Sequence, residues 1–166
     1  MSKKEVFHAF TDGSCSPNPG RGGWAWVCYH PMGNVVIRFM DSGGKKKSTN
    51  NEMELMAMLE CLQFLSKKDC PYKVIIHSDS LTYVLKGMVK GGNGVMGEYP
   101  TGNLQNWKRD GWRNRANLPL WKQLYQECQR CYRDGIELEL KWVKGHSGDE
   151  GNDLVDKLAN DARKKQ

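Results

Sequence analysis

The chain has 166 residues, the size of one compact domain, enough to bury roughly 70% of the unfolded chain's surface without staples. Hydrophobic residues at 39% and charged residues at 27% exclude an intrinsically disordered chain. No apolar run approaches the ~20 residues of a membrane span, and MSKKEVFHAF lacks the long apolar stretch of a secretory signal. A cytoplasmic protein away from membranes is therefore expected. Lys and Arg number 25 against 19 Asp and Glu, a net charge of +6, which suits a polyanionic partner such as nucleic acid.

EVFHAFTDG (5–13) predicts a strand ending in a turn at Gly13, and SPNPGRGG (16–23) is a cluster of breakers. GWAWVCYH (23–30), rich in aromatic and β-branched residues, predicts a second strand. VVIRFMD (35–41) predicts a third, after a turn at 31–34. Short turns between three successive strands predict an antiparallel meander. GGKKKSTNN (43–51) reads as a loop; it does not satisfy the P-loop pattern. NEMELMAMLECLQFLSKKD (51–69) predicts a long helix, apolar over most of its circumference and so buried against a sheet.

KVIIHSD (73–79) predicts a short buried strand ending at Asp79, and SLTYVLKGMVK (80–90) a helix. Alternating strands and helices predict βαβ crossovers with parallel pairing. Residues 91–102, GGNGVMGEYPTG, hold five glycines and one proline and read as a loop insertion. Residues 103–116 are basic and aromatic. LPLWKQLYQECQRCYRDG (118–135) predicts a helix stopped by Gly135, IELELKWV (136–143) the last strand, and NDLVDKLANDARKKQ (152–166) the closing helix. The whole chain, 1–166, reads as one domain.

The six cysteines are irregularly spaced, which does not suit a disulfide framework. Cys128 and Cys131 form a CxxC, but a zinc site needs a second ligand pair. At i and i+3 in a helical pattern, they read as packing residues.

The acidic residues carry more. Asp12 and Asp79 each end a predicted strand, the place where open α/β sheets bind ligands. Glu54 heads an apolar helical stripe of Ala57, Met58, Cys61, Leu62 and Leu65, whereas Glu60 shares its face with Gln63, Lys67 and Lys68. A carboxylate on the core side needs a cation or a strong hydrogen-bond partner; Glu52 fits better as first-turn charge for the helix dipole. In the last helix, periodicity does not choose between Asp153 and Asp156. Converging carboxylates about 4 Å apart repel by roughly 4 kcal/mol at an effective dielectric near 20, so such a cluster holds protons or cations. Oxygen ligands select Mg²⁺ or Mn²⁺, and two such ions about 3.5–4 Å apart suit phosphodiester hydrolysis. His146, in the glycine-flanked loop GHSGDEG (145–151), is a candidate for moving protons nearby.

The motifs TDGSCSPNPGRGG (11–23), STNNEMELMA (48–57), HSDS (77–80), NWKRDGW (106–112) and WVKGHSGDEGNDLVDKLA (142–159) resemble, in family order, those of type 1 ribonuclease H. The resemblance covers nearly the whole chain. It implies a ribonuclease H-like α/β fold: a five-stranded mixed sheet in order 3-2-1-4-5, flanked by helices. It implies an endonuclease cutting the RNA strand of RNA/DNA hybrids to 5′-phosphate and 3′-hydroxyl ends by a two-metal-ion mechanism. Carried over by motif, the metal ligands are Asp12, Glu54, Asp79 and Asp156, holding two Mg²⁺ with Mn²⁺ as a substitute. His146 matches the family's histidine loop. Gly13, Cys15, Asn18, Asn50 and Asn51 match positions meeting the RNA strand in the minor groove, where 2′-hydroxyls distinguish RNA from DNA. Lys47, Thr49 and Asn117 match a pocket for a DNA-strand phosphate. Residues at about 103–116, with Trp107, Lys108 and Trp112, resemble a basic protrusion straddling the DNA strand, whose cations make affinity salt-sensitive.

Two positions depart from the family pattern: Leu81 where relatives carry a polar residue, and Asn103 where they often carry an aromatic one. The expected protein is a free-standing monomer that grips substrate through this domain alone, with low processivity. Two other readings are weighed against it. One is a catalytically silent nucleic-acid-binding module on the same fold, which the four carboxylates oppose. The other is a domain processed from a polyprotein.

Overall fold

A computed structural model describes residues 5–65, 72–113, 115–145 and 148–166. The meander forms, with longer strands than the breakers predict. The first runs through Gly13 to Cys15, the second starts at Gly20 inside the breaker cluster, and the third takes in 43–48, expected as loop. The reason is that ladder pairing with the second strand continues through these glycines. Strands β1 (Glu5–Cys15), β2 (Gly20–Met32) and β3 (Val35–Ser48) pair antiparallel in sequence, and the β2–β3 turn uses Gly33 at φ +61°, a conformation glycine adopts without steric cost. Helix α1 (Asn50–Leu65) then returns the chain to β4 (Tyr72–Ser78), parallel to β1. Helix α4 (Leu118–Arg133) returns it to β6 (Glu137–Trp142), parallel to β4. Helix α5 (Glu150–Lys164) closes the chain; its N-cap is Asp149, whose side chain accepts from the Asn152 amide.

Among the described residues the sheet has six strands, in order β3-β2-β1-β4-β6-β5 with β5 at Gly94–Met96, where five were expected. The five expected strands keep their order. The sixth, β5 (Gly94–Met96), lies inside the glycine-rich segment read as a loop and pairs antiparallel with β6. The physical reason is the open edge of β6, whose unpaired N–H and C=O groups accept a short strand. Met96 is buried and holds it in place. The helix expected over 80–90 is also broken up. A π-helical turn, Leu81–Leu85, runs into the short α2 (Lys86–Met88) and a 3₁₀ turn, Lys90–Gly92. Ser80 caps the π turn by accepting from the Val84 amide at 3.3 Å. A further helix, α3 (Asn103–Arg109), occupies the basic segment.

Helices α1 and α4 cover one face of the sheet and α5 the other. The main core joins Phe7 and Ala9 of β1, Val74 and Ile76 of β4, and Leu138 and Leu140 of β6 to α1 and α4. Helix α1 touches sheet and α4 at once, so Met53, Leu55, Met58, Leu62 and Leu65 are all buried; each such side chain contributes about 1.5–3 kcal/mol of transfer free energy. A smaller core under α5 gathers Phe10, Ala25, Val27, Val155 and Ala159. Cys61, Cys128 and Cys131 are buried free thiols. Burial pushes all three up, Cys131 to about 12, so they serve as small apolar core residues. Among the described residues no helix is long and apolar enough to cross a membrane.

Candidate active site

The parallel register of β1 and β4 builds the site's first pair. Thr11 sits opposite Ser78, so the next residues along, Asp12 still inside β1 and Asp79 just past the end of β4, come side by side where the parallel pairing stops. Glu54 reaches them from α1 through a close approach of helix to strand. A Cβ on Gly13 would lie 2.4 Å from the Glu54 backbone nitrogen, so only glycine lets that turn of α1 rest on the end of β1. Asp12, Glu54 and Asp79 each offer one carboxylate oxygen, all within 4.8 Å of one another.

This arrangement is electrostatically unfavourable without a counter-charge. Asp12 is 3% exposed, and burial first, then the Asp79 charge, pushes its carboxyl up to about 8. Burial, with Asp12 and Asp79 next in order, holds Glu54 well above the usual carboxylate range. Glu54 Oε2 is buried and has no hydrogen-bond partner among the described residues. Orphaned buried oxygens are costly, and an all-oxygen donor set is what a hard divalent cation takes. The residues therefore fit a divalent metal. The Gly13 amide donates to Asp12 Oδ1 at 2.9 Å, fixing one oxygen of that carboxylate.

Helix α5 brings Asp156 alongside Asp12, within hydrogen-bonding and Coulombic range. Asp156 stands outside the tight three-carboxylate set. Asp153, which periodicity left level with it, is exposed, while Asp156 is half-buried on the side facing β1. His146 lies outside the described residues.

The other sequence-derived positions fall into two groups. Around the start of α1, Lys47, Thr49, Asn50 and Asn51 are exposed, as is Asn18 across from them. Asn18 Oδ1 accepts from the Asn50 amide at 3.2 Å. Thr49 Oγ1 accepts from the Glu52 amide. Cys15 is buried, and its thiol is directed at the carbonyls of Pro17, Gly20 and Ser48. It ties the breaker segment to α1's start, so its side chain faces inward and leaves only backbone to a ligand. The second group is the basic segment. Lys108 Nζ lies 3.2 Å from Tyr125 Oη and over that ring, and Arg115 covers Trp107 at 4.9 Å. Asn117 and Trp112 have φ near +60°. Asn117 Nδ2 donates to Tyr83 Oη at 2.9 Å. A hollow of about 550 Å³ is lined by Trp107, Arg109, Asp110, Gly111, Arg113 and Arg115.

Sequence reasoning passed over Tyr83 and Tyr125, which support this segment from distant positions; no spacing rule links residues 17 or 34 apart. It also passed over the fastening of α1. Glu52 accepts from Ser48 Oγ at 2.5 Å and from Lys45 at 3.1 Å. There a signal existed, because Thr49-x-x-Glu52 is a capping-box spacing.

The sheet order and the carboxylate cluster define a mixed α/β protein with a candidate divalent-cation site. The ribonuclease H family model matches residues 4–164, and the chain belongs to the ribonuclease H family, as its motif order implied. It is 35% identical over 165 residues to ribonuclease HI of Pseudomonas aeruginosa, covering 96% of this chain and 95% of that one. It is 39% identical over 169 residues to ribonuclease H of Saccharopolyspora erythraea, covering 95% and 90%. Among solved structures, LC9-RNase H1, described as a type 1 RNase H with the type 2 active-site motif, matches with a TM-score of 0.80 at 23% identity, over 100% of this chain and 75% of that one. LC11-RNase H1, solved in complex with RNA/DNA hybrid, matches with a TM-score of 0.61 at 18% identity, over 96% and 97%.

Proposed function

We propose that this protein is a Mg²⁺-dependent endonuclease that hydrolyses the RNA strand of RNA/DNA hybrids, leaving 5′-phosphate and 3′-hydroxyl ends. The observation that carries this reading is the Asp12–Glu54–Asp79 cluster, largely buried, with a Glu54 oxygen that has no hydrogen-bond partner among the described residues. Family membership and the hybrid bound by LC11-RNase H1 support the substrate.

Asp12, Glu54, Asp79 and Asp156 would hold two Mg²⁺ ions, which when bound supply a strong nucleophile at neutral pH and neutralise charge on the scissile phosphate. The protein's own residues do the rest. Asn18, Asn50 and Asn51, with the backbone of Gly13 and Cys15, meet the RNA strand and read its 2′-hydroxyls. Lys47, Thr49 and Asn117 grip a DNA-strand phosphate. Trp107, Lys108 and Trp112 in the basic segment lie along the DNA strand and orient the hybrid over the carboxylates. His146, flanked by glycine, moves a proton near the reacting phosphate. Segment 91–102, which adds β5 to the sheet edge ahead of that basic protrusion, takes no part in substrate contact.

A gel assay tests this, with labelled RNA/DNA hybrid, RNA duplex and DNA duplex in Mg²⁺ and in EDTA. Cleavage of only the hybrid's RNA strand, lost in EDTA, is the expected result. Salt-sensitive hybrid binding without cleavage would instead identify a silent binding module.

A further inference from the structure

One polar cluster beside the site has no role in the reading above. Ser14 Oγ donates to Asn160 Oδ1 at 2.7 Å. Arg163 donates through Nε to Ser14 Oγ at 3.1 Å and through Nη2 to Asn160 Oδ1 at 3.3 Å. Asn160 Nδ2 in turn donates to the backbone carbonyl of Asp156 at 3.0 Å. All three side chains are half-buried. They join only two elements, the end of β1 and the C-terminal half of α5.

Those are the two elements that carry Asp12 and Asp156. Ser14 is two residues beyond Asp12, about 6.8 Å along a strand on the same face. Asn160 is four residues beyond Asp156, about 6 Å along a helix on the same face. Asp12–Asp156 and Ser14–Asn160 are thus consecutive rungs between one strand and one helix. The first rung sets two carboxylates against each other. The second is attractive and carries a guanidinium. Helix α5 lies close on the sheet here, because a Cβ on Gly23 would come within 2.2 Å of the Ala159 carbonyl oxygen. That contact sets the helix's height over β2, and apolar packing of Val155 and Ala159 holds its inner face. The hydrogen bonds at Ser14 add a directional constraint between α5 and β1 that apolar packing does not supply.

We propose that Ser14, Asn160 and Arg163 form a latch that holds α5 in register with β1 and so keeps Asp156 facing Asp12 as the outer wall of the cation site. They are positioning residues, since none touches the reacting atoms. Partners that orient a metal's ligands commonly contribute tenfold or more to ion affinity. The inference rests on the reading of Asp12 and Asp156 as cation ligands.

The test is Mn²⁺ titration by calorimetry on the full chain without nucleic acid. It compares the wild type with Ser14→Ala, Arg163→Ala and Arg163→Lys, each also in an Asp156→Asn background. Melting in EDTA runs alongside. The latch predicts roughly tenfold weaker Mn²⁺ binding in Ser14→Ala and Arg163→Ala, and it predicts that this loss disappears once Asp156 is already Asn. Arg163→Lys keeps the charge but not the forked geometry, and is expected to fall between. A merely structural role would lower the EDTA melting temperature while leaving ion affinity unchanged, or would weaken it equally in both backgrounds; either result overturns the latch. If Arg163→Ala does not fold, Ser14→Ala, which removes one hydroxyl, decides the question. A wild type that binds no Mn²⁺ would overturn the cation reading beneath the proposal, an outcome distinct from intact binding that ignores the latch.

Discussion

Asp12 shows how a single side chain carries both the function and its cost. Its carboxyl, ordinarily near 3.8, is pushed up to about 8 by burial and by Asp79. The raised value means that the folded protein retains a proton which the unfolded chain has lost. Stability from that proton is complete below the ordinary value and disappears as pH rises through about 8. His77 runs the other way. Burial and then His8 lower it from 6.5 to about 4, so its contribution is lost as pH falls between those values. The carboxylate effect is therefore isolated between pH 6.5 and 8. In EDTA, denaturant unfolding across that window is expected to show stability falling by about 1.4 kcal/mol per pH unit for each proton held. Asp12→Asn is expected to flatten the slope and raise stability in EDTA at pH 8; an unchanged slope would assign the retained proton to Glu54 instead. The same substitution is expected to lower hybrid cleavage by roughly 10²–10³, the equivalent of several kcal/mol of lost charge stabilisation, measured as initial rate at saturating Mg²⁺. Much of this was legible residue by residue. Glu54 separated from Glu60 by its apolar neighbours at i+3 and i+4. Asp156 did not separate from Asp153, because both spacings fit a helix whose apolar face is wide.

Elements bring these residues together through close approaches. Helix α1 reaches the end of β1 only across Gly13, where any Cβ would meet α1 backbone. Gly13→Ala is accordingly expected to displace α1 at the cost of about 1–3 kcal/mol and to weaken Mn²⁺ binding together with stability, read by calorimetry and thermal melting. Equal ion affinity in that variant would show that Glu54 reaches the site without the close approach. Sequence patterning stopped β1 at Gly13 and read 43–48, the end of β3, as loop; the whole elements it missed are short. Strand β5 has three residues, too few to show alternation, and forms because β6 presents an open edge. The helix expected over 80–90 becomes a π turn followed by short pieces. Its apolar residues mark it as buried, but the hydrogen bond from the Leu85 amide to the Ser80 carbonyl falls beside a long-range ring contact of Tyr83 with Trp121, which local spacing does not encode.

At the level of the whole molecule, one sheet separates a large core from a small one. Met58 is fully buried between sheet and helices, and Met58→Ala is expected to cost about 2–5 kcal/mol of unfolding free energy, measured by urea titration. A cost below 1 kcal/mol would mean that α1 is loosely packed. The net charge of +6 acts on a different scale. Hybrid affinity is expected to fall linearly in log–log form with salt, with a slope of about −0.7 to −0.9 for each phosphate neutralised. Replacing Lys108 and Arg109 together is expected to make the slope shallower by roughly 1–2, read by fluorescence anisotropy at several NaCl concentrations. An unchanged slope would place the hybrid away from α3.

By itself the amino-acid sequence determined the alternation of strands and helices, the apolar stripe of α1, the placing of Asp12 and Asp79 late along the first and fourth strands and the family motifs that order them. These are local properties, written in the spacing of neighbouring residues. The tertiary structure decided what depends on contact between distant segments. It set Asp12 beside Asp79 through parallel register, left Asp153 in solvent and turned Asp156 inward. It buried the Cys15 thiol among carbonyls and added β5 to an open edge. It also joined Ser14 to Asn160 and Arg163, nearly 150 residues apart. No periodicity records such pairs, because the free energy that forms them arises only once the sheet and helices have packed.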